Sequence, residues 1–432
     1  MKKILKPILL TLLCVCVTAG SALSLGSCSL ISAREISSME INSLGELIVS
    51  YSDGSFQNLG AVAGAGDTTL NIDTGERDVS AATAKGLMSA VSVSCKFEKN
   101  VNYGYPGFGS GTTTKYSSAG AGVIYRLDKE SGSAFIITNY HVVYDKSCNT
   151  SDKISDDISV YLYGAESESY AIPAEYVGGS LYYDIAVLRV EDSELLKRSA
   201  VCEVTVSDKE ATVGETAIAV GNPESYGISA SLGIVSVDSE HITMTAPDGV
   251  SEVTARVIRV DTAVNSGNSG GGLYNGEGEL IGIVNAKIVD SSVENIGYAI
   301  PAPIVTGVAD NVIDHCYEKD CKTVMRALLG VTLGSTSSGA AFDTEDGRLE
   351  IVETVTAVTV SKSGVAYGKI EVGDILKSAT LNGETVEITR THHIIDLMLT
   401  ARTGDTLTVS LLRDGEAKTV AINITTDMLT AY

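Results

Sequence analysis

A serine set among glycines is the part of this sequence best suited to chemistry. In residues 265–272 (NSGNSGGG), the glycines let the backbone turn sharply and approach a substrate closely. Ser269 can then present its hydroxyl beside inward-pointing backbone N–H groups. The same composition also makes a glycine-rich hairpin turn, so the segment alone does not decide. A serine hydroxyl is a poor nucleophile unless a base takes its proton, and a histidine oriented by a carboxylate is the usual solution. Only five histidines are present. His241, His315 and the pair His392 and His393 stand in polar or helical contexts and read as surface residues. His141 differs: it follows the apolar run 135–137 and leads into Val142 and Val143, at a strand end from which a side chain can enter a cleft. Asp184 immediately precedes the mostly apolar strand 185–190, where a carboxylate is expensive to bury unless paired. Each of the two, taken separately, is compatible with a purely structural role.

Taken together, residues 138–143 (TNYHVV), 184–188 (DIAVL) and 267–271 (GNSGG) resemble the three active-site blocks of chymotrypsin-like serine proteases of the HtrA/Deg branch, in the order His, Asp, Ser. The likeness continues through 221–223 (GNP), 233–235 (GIV) and 261–265 (DTAVN), and it spans residues 83–428. It implies His141 as general base and acid, Asp184 as its orienting anion and Ser269 as nucleophile, in a cleft between two six-stranded antiparallel β-barrels. It also implies an oxyanion hole from the N–H groups of Gly267 and Ser269, assisted by Asn268. Ala263 falls where trypsin-like enzymes hold an anion for Lys or Arg. An uncharged substrate pocket of Ala263, Ile283, Val284, Asn285 and Ala286 then favours small or medium aliphatic residues before the scissile bond. Two departures stand out: Ser266 and Gly272 occupy positions where the family commonly carries proline. Both are expected to loosen the loop that builds the oxyanion hole, giving a site that rests disordered and tightens on substrate or effector binding.

Further along, residues 328–331 (Leu328, Leu329, Gly330 and Val331) resemble the carboxylate-binding loop of PDZ domains, with support from 363–366, 372–376, 382–383 and 411–415. In such domains backbone N–H groups hold a peptide's terminal carboxylate while the peptide adds a strand to the sheet edge. The expected activity is a serine endopeptidase acting on unfolded or damaged exported proteins and regulated by peptide binding to this domain. The alternative is a catalytically weak or inactive peptide-binding holdase or surface scaffold.

The elements that must position these residues are mainly β. Short apolar runs at 119–125, 135–137, 158–162, 185–190, 216–220, 233–235 and 280–284 recur between turn residues, as in a barrel or sandwich. After Pro303 the spacing of Ile304, Val308, Val312 and Ile313 predicts a helix with one apolar face. Strands are expected near 329–333, 350–355 and 407–412, with a helix over 393–401. The domain reading is a leader at 1–27, a tether with a small β-element at 28–82 and a trypsin-like protease domain at 83–306. A linker helix at 307–326 and a PDZ domain at 327–428 complete it. Within the tether, 46–49 with Tyr51, Asp53–Gly54 and Phe56 read as a strand, a turn and a second strand, and 61–66 as a flexible linker.

With 432 residues, 44% hydrophobic and 20% charged, the chain reads as a globular protein of more than one domain. A net charge of −23 argues against nucleic acid, which needs Lys and Arg to displace counterions. Lys2 and Lys3 before an apolar run at 8–17 form a secretory leader, and residues 25–28 (LGSC) resemble a lipoprotein lipobox with Cys28 as the acylated residue. That places the protein on the extracytoplasmic side of a bacterial membrane, held by a lipid anchor; cleavage of a plain signal peptide near Ala22 is the other reading. Beyond Cys14, Cys16 and Cys28 five cysteines remain, an odd number, so not all can pair; Cys316 with Cys321 is a candidate. No C-x-x-C with partnering histidines is present, so neither a metal nor a cofactor is expected. The family resemblance implies a homotrimer built through N-terminal segments, although the segment here is atypical.

Overall fold

A computed structural model of the chain describes residues 36–41, 46–52, 56–61, 79–102, 111–223, 227–286, 296–316, 321–343 and 347–432. The leader, Cys28, the turn at 53–54 and residues 62–66 of the linker lie outside the described residues. Near the N-terminus β1 (Ile36–Ile41), β2 (Glu46–Tyr51) and β3 (Phe56–Ala61) form an antiparallel sheet in that order. The sequence signals β2 and β3. It does not signal β1, whose paired serines break the apolar alternation that marks a strand.

A helix, α1 (Ser80–Ser89), leads into the first of two closed barrels. Its strands are β4 (Ala90–Asn102), β5 (Gly111–Asp128), β6 (Ser133–Thr138), β7 (Asp157–Leu162), β8 (Ile172–Ser180) and β9 (Ile185–Val190), with the single turn α2 (Tyr140–Val143) between β6 and β7. After α3 (Glu194–Arg198) comes the second barrel. It comprises β10 (Thr216–Gly221), β11 (Ser229–Thr245), β12 (Glu252–Val260), β13 (Gly272–Tyr274), β14 (Leu280–Val284) and β15 (Gly297–Pro301). Strand periodicity explains why these runs are apolar on both faces. Along β9, Ala186, Leu188 and Val190 fill the first barrel, whereas Ile185 and Val187 face a separate core shared by both barrels.

That shared core continues into α4 (Ala302–Asn311), where Ile304, Val305, Val308 and Ala309 are buried with Ile218, Ile283 and Ile300. The one-faced helix read from the sequence is therefore buried nearly all round. It is apolar on several sides because the barrel junction covers it on one side and Leu399 on another, a pattern proper to a core helix.

Beyond it lies a unit with its own core. Strand β16 (Met325–Ala327) pairs with β23 (Leu429–Ala431). A six-stranded sheet comprises β17 (Val331–Asp343), β18 (Arg348–Val360), β19 (Ile375–Leu381), β20 (Glu384–Glu387), β21 (Thr406–Arg413) and β22 (Glu416–Asn423). It runs in the order β17-β18-β19-β21-β22, with β20 beside β19. Helix α5 (His393–Leu397) covers part of this core. Cys95, Cys148, Cys202 and Cys321 are free thiols, so Cys321 does not close the candidate disulfide.

Polar contacts join this unit to the second barrel. Arg390 pairs with Asp238 at 2.9 Å, Arg348 with Glu215 at 3.0 Å, and the buried Arg256 with Asp396. His392 overturns its surface reading: it is 3% exposed and its Nε2 lies 3.1 Å from Glu210 Oε2. A polar local sequence hid it because the burying surface comes from residues about 180 positions away. Burial pushes its pKa down to about 4, outweighing the neighbouring carboxylate. On the other side of the unit, fully buried Asn311 donates to the Met325 carbonyl at 2.7 Å and accepts from the Met325 N–H at 3.0 Å. Asn311→Ala leaves both Met325 groups unpaired, and urea unfolding should show a loss of about 2–4 kcal/mol.

Candidate active site

Asp184 occupies the turn that feeds β9, with φ +53, a left-handed conformation unusual for a residue bearing a side chain. The turn is tied down through the Asp184 carbonyl, which accepts from Tyr140 N–H at 3.1 Å and from Asn139 Nδ2 at 2.9 Å. Its carboxylate is buried, at 2% exposure, and accepts three hydrogen bonds. Oδ1 takes the His141 backbone N–H at 2.9 Å; Oδ2 takes His141 Nδ1 at 2.7 Å and Asn285 Nδ2 at 2.8 Å. Three donors compensate a desolvated anion that would otherwise be prohibitive.

His141 stands in α2, whose short turn begins directly after β6 because extended Asn139 ends the strand. The contact with Asp184 requires a proton on Nδ1, leaving the Nε2 lone pair of the neutral ring free to accept one. Sequence and structure agree on the strand-end placement of both residues.

Ser269 sits in the second of two linked turns. Asn268 N–H donates to Asn265 O at 3.0 Å, with Gly267 at φ +95 in the third position, and Gly271 N–H donates to Asn268 O at 2.9 Å. A positive φ at that position marks a type II turn, which favours glycine. Neither the Gly267 nor the Ser269 N–H has an acceptor among the described residues, so two adjacent donors remain available beside the hydroxyl. Asn268 does not join them: its N–H closes the turn and its Nδ2 lies 3.4 Å from Ala263 O. The assistance expected of Asn268 is corrected on that ground. Both turns of the loop are closed by backbone hydrogen bonds.

Each glycine after Ser269 is packed against something. A Cβ at Gly270 would lie 2.2 Å from Ala121 O, at Gly271 2.1 Å from Val220 O, and at Gly272 2.4 Å from the Tyr274 ring. Tyr274 is fully buried, its hydroxyl 2.9 Å from Ser89 Oγ, and burial raises its pKa. The ring thus fills the space a side chain at 272 would need. For Ser266 in place of the family's proline the structure offers no reason.

Three of the residues read as a substrate pocket are enclosed. Ile283 packs in the shared core and Val284 inside the second barrel, both at 1% exposure or less, while the buried Asn285 side chain is committed to Asp184. None of these three side chains can line an open pocket, because both faces of β14 are covered. Ala263 is exposed and Ala286 half-buried. Asn285 is also the residue whose contact sequence reasoning missed; a polar side chain ending an apolar strand was the available signal. Ala286 N–H lies 3.3 Å from Ser269 Oγ, so the consecutive residues Asn285 and Ala286 hold Asp184 and Ser269 respectively. No hydrogen bond joins Ser269 Oγ to His141 among the described residues.

Gly272→Ala should lower stability by about 1–3 kcal/mol through overpacking against Tyr274, measured by thermal or urea unfolding. A Tm unchanged from the parent would show that the ring yields freely.

Residues 120–283 match the trypsin-like peptidase domain. The serine protease Do-like HtrA of Lactococcus lactis subsp. lactis is 32% identical over 376 residues, covering 82% of this chain and 84% of that protein. Serine protease Do-like HtrA of Bacillus subtilis is 30% identical over 320 residues, covering 71% of this chain and 64% of that one. A solved HtrA-type protease, AlgW with a decapeptide, aligns at TM-score 0.48 and 22% identity over 82% of this chain and 98% of that chain. With sequence shared along most of its length and of the Lactococcus protein's, this chain belongs to the HtrA family of trypsin-like serine proteases and is a serine endopeptidase.

Proposed function

We propose that Ser269 is the nucleophile of this endopeptidase, His141 its general base and acid, and Asp184 the anion that orients and stabilises the imidazole. His141 Nε2 takes the Ser269 proton as Oγ attacks the scissile carbonyl, then delivers it to the leaving amine; water repeats the sequence to release the acyl group. The N–H groups of Gly267 and Ser269 receive the oxyanion. The single observation that carries this reading is the Asn285–Ala286 pair, which ties the Asp184–His141 couple to Ser269 across the two barrels. Because Ser269 Oγ meets the Ala286 N–H at rest, attack requires rotation of the Ser269 side chain toward His141.

The C-terminal unit binds peptide C-termini at Leu328, Leu329, Gly330 and Val331. Three carbonyls of this loop are already occupied: Leu328 O accepts from Val365, Leu329 O from Ala366 and Gly330 O from Ser361. The Leu329 and Gly330 N–H groups have no acceptor among the described residues and are free to meet a carboxylate. β17 follows directly as an edge strand that a peptide can extend. Unfolded or damaged exported proteins are the substrates, and small or medium aliphatic residues fit before the scissile bond near Ala263 and Ala286. Acylation of Cys28 holds the enzyme on the extracytoplasmic face of a bacterial membrane, and a homotrimer is the assembly. The periplasmic DegP and DegQ of Escherichia coli, each 30% identical, support export.

Hydrolysis of casein by the purified protein tests the triad. Ser269→Ala should lose about 10⁶-fold in kcat; retained cleavage would remove Ser269 from the mechanism. Asn285→Ala should lower kcat about 10–100-fold, the worth of one hydrogen bond to a charged group, with KM nearly unchanged. A rise in KM with kcat intact would instead make Asn285 a binding residue.

A further inference from the structure

Where the second barrel meets the C-terminal unit, three side chains with metal-binding atoms converge outside the active site. Glu210 precedes β10, and His392 and His393 lie at the start of α5; one ligand atom from each falls within 4.8 Å of the others. Glu210 Oε2 is 3.1 Å from His392 Nε2 and 3.7 Å from His393 Nε2, with the imidazole planes at 90°. Ligands on a tetrahedral ion with bonds of ~2.1 Å stand ~3.4 Å apart, and the two distances bracket that value.

We propose that Glu210, His392 and His393 form a site for one divalent transition-metal ion, zinc being the species their chemistry fits best. Two imidazoles and one carboxylate are borderline ligands suited to zinc, whereas calcium and magnesium favour oxygen ligands. The tautomer of His393 supports the assignment. Its Nδ1 lies 2.9 Å from the Glu387 carbonyl and 3.4 Å from the Thr389 nitrogen. The shorter contact places a proton on Nδ1, which leaves Nε2, facing the Glu210 carboxylate, as the ligand atom. A cation between Nε2 and the carboxylate, a metal ion or a proton, removes the repulsion of two facing acceptors. Arg256 does not fill that role: its Nη1 is 3.7 Å from the other carboxylate oxygen, Oε1, and its Nη2 is paired with Asp396. A cleft of about 370 Å³ bordered by Glu210 and His393 provides entry and room for a water as fourth ligand. Because the ligands come from two folded units, the ion would clamp them together.

The test uses the purified full chain, stripped with a chelator and titrated with zinc against a chromophoric competitor near pH 7.5. The parent should bind one zinc at this site with micromolar or tighter affinity. His141→Ala should retain that event, which distinguishes it from binding at the active site. Glu210→Gln and His393→Gln should each weaken it at least about tenfold. Cobalt should give a visible absorption band in the parent that both variants lose. Circular dichroism establishes that each variant is folded, and because the two lie in different units, either alone can decide. No stoichiometric zinc in the parent, or undiminished affinity in a folded variant, would overturn the proposal.

Discussion

A buried carboxylate sets the terms for the site. Asp184 lies at 2% exposure in a left-handed turn, and such an anion is tolerable only when donors reach both oxygens. The first barrel supplies two donors through His141 and the second supplies one through Asn285. The barrels therefore meet in a register that serves the anion, and within the second barrel Ala286, the residue after Asn285, meets Ser269. Dispersion in the shared core supplies bulk cohesion, and directional bonds such as Asn285 to Asp184 and Ala121 N–H to Ser269 O fix the alignment of the halves.

A second constraint is steric. Gly270, Gly271 and Gly272 have carbonyl oxygens or an aromatic ring where side chains would project, so the loop is narrow rather than slack. The ring is that of Tyr274. It fills the volume beside Gly272, and the Tyr274 hydroxyl meets Ser89 at the end of α1, connecting that helix to the strand after the Ser269 loop. Residues that look permissive singly are restrictive as a packed set.

The C-terminal unit is joined to the barrels by two chemically different surfaces. Leu399 enters the shared core beside α4, and Asn311 binds the backbone of β16. Against the second barrel the contacts are ionic, with Arg256, Arg348 and Arg390 each meeting a carboxylate. Apolar contact is tolerant of small displacement, whereas buried ion pairs are directional and costly to break singly. Leu328 is exposed and β17 lies at the edge of its sheet.

Much of this architecture was readable in residue order. Short apolar runs between turn residues announced the barrel strands, and the resemblance of the blocks around His141, Asp184 and Ser269 to the HtrA/Deg pattern singled out three positions, which the fold connects through Asn285 and Ala286. These signals are local: each depends on a few neighbouring residues and the period of a strand. What the residue order could not reveal depended on partners distant in the chain. Asn285 reads as a pocket wall until Asp184 stands opposite it, Gly272 as slack until Tyr274 folds over it, and His392 as a surface residue until Glu210 and Arg256 close around it. Burial and hydrogen-bond partnership belong to surfaces brought together from different segments, so they are settled only when those surfaces meet.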